Sequence, residues 1–349
     1  MKEKAEVWKT ESSGATQLPQ LHVASKSTYK LADTRPQTQV ASVKRSISDD
    51  LAQGAATFYT QRKRIKVSNP TSIQHHPAVH CLIPIGCQWS DNSCAYDTVL
   101  SLLYNAWLDK PVATFPELSS VLFPALIKCF DQVNHSQDRL TDTREYARQA
   151  LSVQRPTEFK YGEYASVSSI LDILFSATDG MVDLLYNCAD GHCSSVTPAH
   201  HASFLISLEN TPYTSVEAWC SSQGSNTRRL CVVCSQTVLV KHVYSYPPYF
   251  IAFDFAAGSV HIDHKIYIDV QGRSIPYYLK CIIYYGRSHF IGRYIDKSGR
   301  VWVYDGMSNS GIMEYDSDCY RGDLSTCRSM HAIAAVYVRS PHVQIALAQ

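Results

Sequence analysis

Apolar positions along this chain change their period part-way through. After Cys94 they recur at helical spacing, with Val99, Leu100, Leu103, Tyr104 and Trp107 on one stripe and Asn92 or Ser93 placed to cap the helix start. Helical patterns follow over Leu118 to Phe130, Thr143 to Gln149 and Val167 to Phe175, the last with apolar residues at 167, 170, 171, 174 and 175. From Leu230 the texture becomes β-branched and aromatic. Strands are expected at Val238 to Val240, Tyr249 to Phe253, Ile266 to Ile268, Cys281 to Tyr285, Phe290 to Ile295 and Val301 to Tyr304. Turn residues such as Lys297-Ser298-Gly299-Arg300 separate the last of these, as antiparallel hairpins require, and no internal repeat is visible. Helices followed by an antiparallel sheet give an α+β fold with a cleft between two layers.

Residues 1–78 break this pattern. They are rich in Ser, Thr, Gln and Lys and lack cysteine and any sustained apolar period, so a disordered basic N-terminal tail is expected there. The tail holds twelve Lys/Arg against six Asp/Glu, although the whole chain carries a net charge of only +1. Its clusters Lys44-Arg45 and Arg62-Lys63-Arg64-Ile65-Lys66 read as an import signal, a nucleic-acid contact or a solvated charge run. Folding is expected over 79–349, where 45% hydrophobic content across the 349 residues is ample for a core.

No apolar run reaches the roughly 18 residues of a bilayer span, and Met1-Lys2-Glu3-Lys4 is not followed by a signal-peptide core. Twelve cysteines in such a chain point to reduced thiols, a nucleophile and metal ligands, hence to an intracellular protein, nuclear or cytoplasmic, with no membrane partner.

The run Gln88-Trp89-Ser90-Asp91-Asn92-Ser93-Cys94 leads straight into the first helical pattern. Unpaired N–H groups and the positive end of the helix dipole favour thiolate over thiol at such a place, which makes Cys94 the candidate nucleophile. Downstream, Tyr284-Tyr285-Gly286-Arg287-Ser288-His289-Phe290 interrupts one strand and starts another, so His289 is the candidate base. Asp305 ends the following strand at a glycine turn and could orient the imidazole. Gln88 and Asn92, six and two residues before Cys94, are candidate oxyanion donors beside the Cys94 N–H.

Together these segments resemble the ubiquitin-specific protease family of papain-like cysteine peptidases. The Cys box is Asn92-Ser93-Cys94-Ala95-Tyr96, and Pro247-Pro248-Tyr249-Phe250-Ile251-Ala252-Phe253 looks like the family's Leu-Pro-x-x-Leu strand. Residues Tyr278 to Tyr284 resemble the strand leading to the His box, and Ala332 to Arg339 the closing Tyr-x-Arg strand. Trp89 stands where the family carries its oxyanion Asn, Ser288 replaces the glycine before the histidine, and Gly306 the second Asp of an Asp-Asp pair.

The resemblance implies a papain-like fold of the ubiquitin-specific protease type, with a helical lobe over about 90–180, β fingers over about 181–245 and a sheet lobe over about 246–345. It also implies a structural zinc in the fingers, for which Cys188, Cys193, Cys231 and Cys234 are the candidate ligands, with His192 or Cys220 as substitutes in the looser first pair. The implied activity is that of a monomeric thiol isopeptidase cutting after the C-terminal glycine of ubiquitin or a ubiquitin-like protein. A catalytically inactive ubiquitin-binding scaffold and a nucleic-acid-associated zinc protein are the rival readings. The last lacks any recognition helix or aromatic-basic interleaving.

Overall fold

A computed structural model describes residues 83–109, 118, 120–199, 202–208, 213–255, 260–317 and 323–340. The tail over 1–78 and both of its basic clusters lie outside the described residues. Four α-helices come first, α1 (Cys94–Asp109), α2 (Leu122–Val133), α3 (Gln137–Gln154) and α4 (Val167–Leu174), and a short α5 (Val216–Ser222) is set among the strands. The described strands form one 13-stranded, mixed sheet. None of the described helices is long and apolar enough to cross a membrane.

The sheet is built on β8 (Arg273–Gly286), which pairs antiparallel with β7 (Lys265–Val270), β9 (His289–Ile295) and β13 (Met330–Arg339). Beyond β9 lie β10 (Val301–Tyr304) and β11 (Glu314–Tyr315), while β13 also pairs with β12 (Thr326–Cys327) and β6 (Phe250–Asp254). Two pairings depart from the expected antiparallel pattern, since β3 (Leu205–Ser207) runs parallel to β6, and β5 (Thr237–Tyr244) meets β7 in parallel through Tyr244 and Val270.

A ribbon of β2 (Ser194–Pro198), β1 (Val182–Cys188), β5 and β4 (Gly224–Leu230) continues the sheet beyond β7. Strands thus begin at Val182, well before Leu230 where the sequence texture changes. The ribbon's own apolar cluster is only Cys188, Cys231 and Val238, with Tyr186, Cys193 and Cys234 partly buried against it. Within the same stretch α5 packs on β7 and buries Trp219 in the main core.

Helix α1 does not keep one face to solvent. Every residue from Cys94 to Trp107 is buried, including Asp97, Thr98, Ser101 and Asn105, because α1 lies between β8, β9 and β10 on one side and α3 and α4 on the other. Its approach to the sheet is set at Gly292 of β9, where a Cβ would stand 2.7 Å from Leu102 Cδ1. Thr98 Oγ1 donates to the Phe290 carbonyl at 3.3 Å, fixing the helix along β9 one residue from His289. The predicted helix at Leu118 starts later, because Leu118 bridges to Ala177 and the Ser120 hydroxyl accepts the Phe123 N–H.

Candidate active site

Cys94 is the first residue of α1 and is 3% exposed. Among the described residues no hydrogen-bond acceptor takes its N–H, as expected of the first turn of a helix. The β8–β9 hairpin brings His289 to the same place. Its two-residue turn, Arg287-Ser288, has φ of 53° and 59°, the left-handed pair of a type I′ turn, and Gly286 pairs with His289 across it.

The imidazole lies between two partners. His289 Nε2 is 2.9 Å from Asp305 Oδ1, with the side chains 13% and 17% exposed. Cys94, at the head of the helix packed against β9, is the other group that acts on the ring. Burial is the largest influence on His289 and disfavours its charge, but the hydrogen bonds to Asp305 and Cys94 and their negative charge outweigh it and raise the pKa to about 9. The hydrogen bond to His289 comes first in holding the Asp305 carboxyl down to about 2, working against burial and helped by the Met307 N–H at 3.0 Å and by Ser308. Arg328 Nη1 stands 3.5 Å from the other carboxylate oxygen.

The two residues flanking Asp305 are tied to the segment before Cys94. The Trp89 N–H donates to the Gly306 carbonyl at 3.0 Å, and the buried Tyr304 hydroxyl donates to the Cys87 carbonyl at 2.7 Å. Gly86, Gly306 and Gly311 crowd around this link, each with less than 3 Å between a notional Cβ and the nearest neighbouring atom, so the chain crosses here only because those positions lack side chains.

The two candidate amides diverge. Asn92 Nδ2 donates to the Gly162 carbonyl at 2.9 Å and holds the α3–α4 connection rather than standing free. Gln88 is exposed, and its side-chain amide has no hydrogen-bond partner among the described residues. At the cap position the Ser93 hydroxyl donates to Asp97 and accepts from the Ser90 N–H at 3.0 Å and from Arg144.

Two side chains here escaped the sequence reading. Arg144 and Arg148 on α3 are buried, with 2% and 1% side-chain exposure, and both point at the segment before Cys94. Their signal was present in the sequence: they sit on the stripe of Leu140, Ala147 and Leu151, where an arginine has to find anions or carbonyls.

At the ribbon tip the four cysteines gather. Donor atoms of Cys188, Cys193 and Cys231 lie within 4.8 Å of one another, as do those of Cys188, His192 and Cys234. The Cys193 N–H points at Cys188 Sγ (3.4 Å) and leads the causes that lower that thiol to about 6, while the N–H groups of Cys234 and Val233 lower Cys231. Burial first, then the neighbouring thiols, raise Cys193 to about 11. Cys234 also reaches about 11, the Gln236 N–H opposing burial and the thiols. Such a set could hold a metal ion, with amide N–H groups already aimed at two of the sulfurs. Cys220 is not near it, being part of the main core on α5.

No family model matches the chain, and no curated protein matches it. Among solved structures it is similar to the SAGA Ubp8/Sgf11/Sus1/Sgf73 DUB module bound to ubiquitin aldehyde, at 10% identity over 73% of this chain and 69% of that chain, with a TM-score of 0.47. A variant Ubp8 module bound to monoubiquitin gives 10% identity, 76% and 72% coverage and a TM-score of 0.47. A yeast SAGA module with an Sgf73 variant gives 12%, 73% and 68%, and 0.42.

Proposed function

We propose that this protein is a thiol isopeptidase that cleaves after the C-terminal glycine of ubiquitin or a ubiquitin-like modifier. The observation that carries the reading is His289, held by Asp305 at Nε2 on the strand that packs against the buried helix headed by Cys94. The modifier is inferred from the likeness of the Cys, His and closing-strand boxes to those of ubiquitin-specific proteases.

In this reading His289 removes the Cys94 proton and the sulfur attacks the carbonyl carbon of the terminal glycine. The oxyanion is received by the Cys94 N–H and Gln88, since Asn92 is engaged with Gly162. As the C–N bond breaks, the imidazolium passes its proton to the departing lysine amine. His289 then takes a proton from water, which attacks the thioester and releases the thiol. Asp305 holds the ring and stabilises its charged form throughout. The enzyme works as a monomer inside the cell, in the nucleus or cytoplasm. A zinc ion held by Cys188, Cys193, Cys231 and Cys234 staples the ribbon, with His192 the alternative to one thiolate.

The test is labelling by ubiquitin carrying a C-terminal alkyne, alongside cleavage of diubiquitin. Wild type should form the covalent adduct and cut, and Cys94→Ala should do neither. Equal cleavage by both proteins overturns the reading.

Trp89, exposed at the family's oxyanion position, favours a second reading in which the fold binds ubiquitin without cutting it. Saturable ubiquitin binding by a wild type that resists the alkyne probe would select that alternative.

A further inference from the structure

We propose that Arg144 is a positioning residue for the oxyanion pocket, acting as a clamp that shapes the segment from Gln88 to Asp97. This inference rests on the thiol-hydrolase reading above.

One guanidinium reaches four groups of that segment. Arg144 Nη1 donates to the Gln88 carbonyl at 2.8 Å, to Ser93 Oγ at 3.1 Å and to Asp97 Oδ1 at 2.6 Å, and Nη2 donates to Ser90 Oγ at 2.9 Å. Glu145 meets Nη2 at 2.8 Å and also meets Arg148, whose Nη2 donates to the Asp91 carbonyl at 2.9 Å. The Arg148 guanidinium stacks against Tyr96 and Tyr161. Two buried arginines, the buried Asp97 and the half-buried Glu145 thus form a charge-balanced frame under the segment.

The segment needs holding because it has little structure of its own. Asp91 and Asn92 have φ of 46° and 57°, a region that L residues other than glycine enter at a cost. Its internal hydrogen bonds in the approach to the helix are the Ser93 N–H to the Ser90 carbonyl and the Ser90 N–H to the Ser93 hydroxyl, both 3.0 Å. The path of the chain from Gln88 to Ser93, which sets where Gln88 and the Cys94 N–H stand, is therefore shaped in large part from α3. A lysine could balance Asp97, but as a point charge it cannot span Gln88, Ser90 and Ser93.

Two reactions of the full chain separate this role from a structural one. Alkylation of Cys94 by iodoacetamide needs the Cys94–His289 pair and no oxyanion pocket, whereas hydrolysis of a fluorogenic ubiquitin C-terminal amide needs both. Replacing Arg144 alone risks unfolding through the stranded Asp97, so Arg144→Met is combined with Asp97→Asn, which removes the buried charges as a pair. In that double variant kcat should fall by about 10²-fold with KM and the alkylation rate within about threefold of wild type. Arg144→Lys should lie between, and Ser90→Ala, which leaves the Arg144–Asp97 pair intact, should show the same pattern at smaller size.

A folded double variant with wild-type kcat overturns the clamp and leaves the isopeptidase reading standing. An alkylation rate that falls in step with kcat, or a Ser90→Ala protein with unchanged kcat, also overturns it. Wild-type protein whose Cys94 alkylates no faster than a free thiol and which hydrolyses nothing overturns the isopeptidase reading, and the clamp with it.

Discussion

His289 presents Nε2 to Asp305 Oδ1 at 2.9 Å, which leaves Nδ1 as the nitrogen that, in the proposed mechanism, exchanges a proton with Cys94. Each pole of the imidazole therefore has one assigned task. Asp305→Asn keeps the size of the side chain and removes the charge. It should lower kcat by about 10²-fold or more and move the alkaline limb of the pH–rate profile from near pH 9 toward neutral. An unchanged limb in a kcat against pH series would disconnect Asp305 from the base.

The same pair makes folding stability depend on pH in a defined direction. His289 binds its proton more tightly folded than unfolded, so its contribution is complete below the ordinary value of 6.5 and is lost as pH rises through about 9. Asp305 acts oppositely at the acid end, contributing above its ordinary value of 3.8 and losing that contribution as pH falls toward 2. Thermal melts at pH 6.5 and 9.5 should show a decrease in wild type that shrinks in His289→Ala.

Gly292 lets α1 rest against the sheet. Gly292→Val forces Leu102 away and should cost about 1–3 kcal/mol, while shifting Cys94 relative to His289. The check is denaturant unfolding together with the iodoacetamide rate. Stability and rate should fall together, unlike the Arg144 variants.

Ser288 occupies a left-handed position in the hairpin turn that glycine fits without a Cβ clash. Ser288→Gly should gain about 0.5–1 kcal/mol, the relief of strain being partly offset by the greater freedom of glycine when unfolded. Urea midpoints of the two proteins would decide it, and a lower midpoint for the variant refutes the strain argument.

Metal content is measurable directly. The full chain should carry one zinc per molecule and lose it with a fall in melting temperature on treatment with a strong chelator, and Cys231→Ser should lower the stoichiometry. Zinc-free protein with an unchanged melt removes the staple.

Where strands are buried on both sides, as in Phe250–Asp254 and Val301–Tyr304, continuous apolar runs announced them in the sequence. In the ribbon, β5 was expected at Val238 to Val240, but β1 and β2 were not, because Ser194–Pro198 is exposed throughout and Val182–Cys188 is half-buried, so neither alternates cleanly. Helix α5 is seven residues long and too short for a periodic signal. The places of Cys94 and His289 at the starts of α1 and β9, and of Asp305 just after β10, were legible in the sequence. The frame beneath them was not, since Arg144 and Arg148 matter through carbonyls and hydroxyls whose positions depend on how α3 crosses α1. Asn92 shows the converse: sequence distance made it an oxyanion candidate, and its contact with Gly162, remote in sequence, is what engages it.

The bonds from Trp89 to Gly306 and from Tyr304 to Cys87 each join residues 217 apart, so they can close only late in synthesis. The thiol leaves the ribosome long before its base and acid, and the segment that carries it lacks these two anchors until β10 has emerged. In the proposed reading, a nascent or prematurely stopped chain therefore holds the cysteine without the partners that would make it a nucleophile.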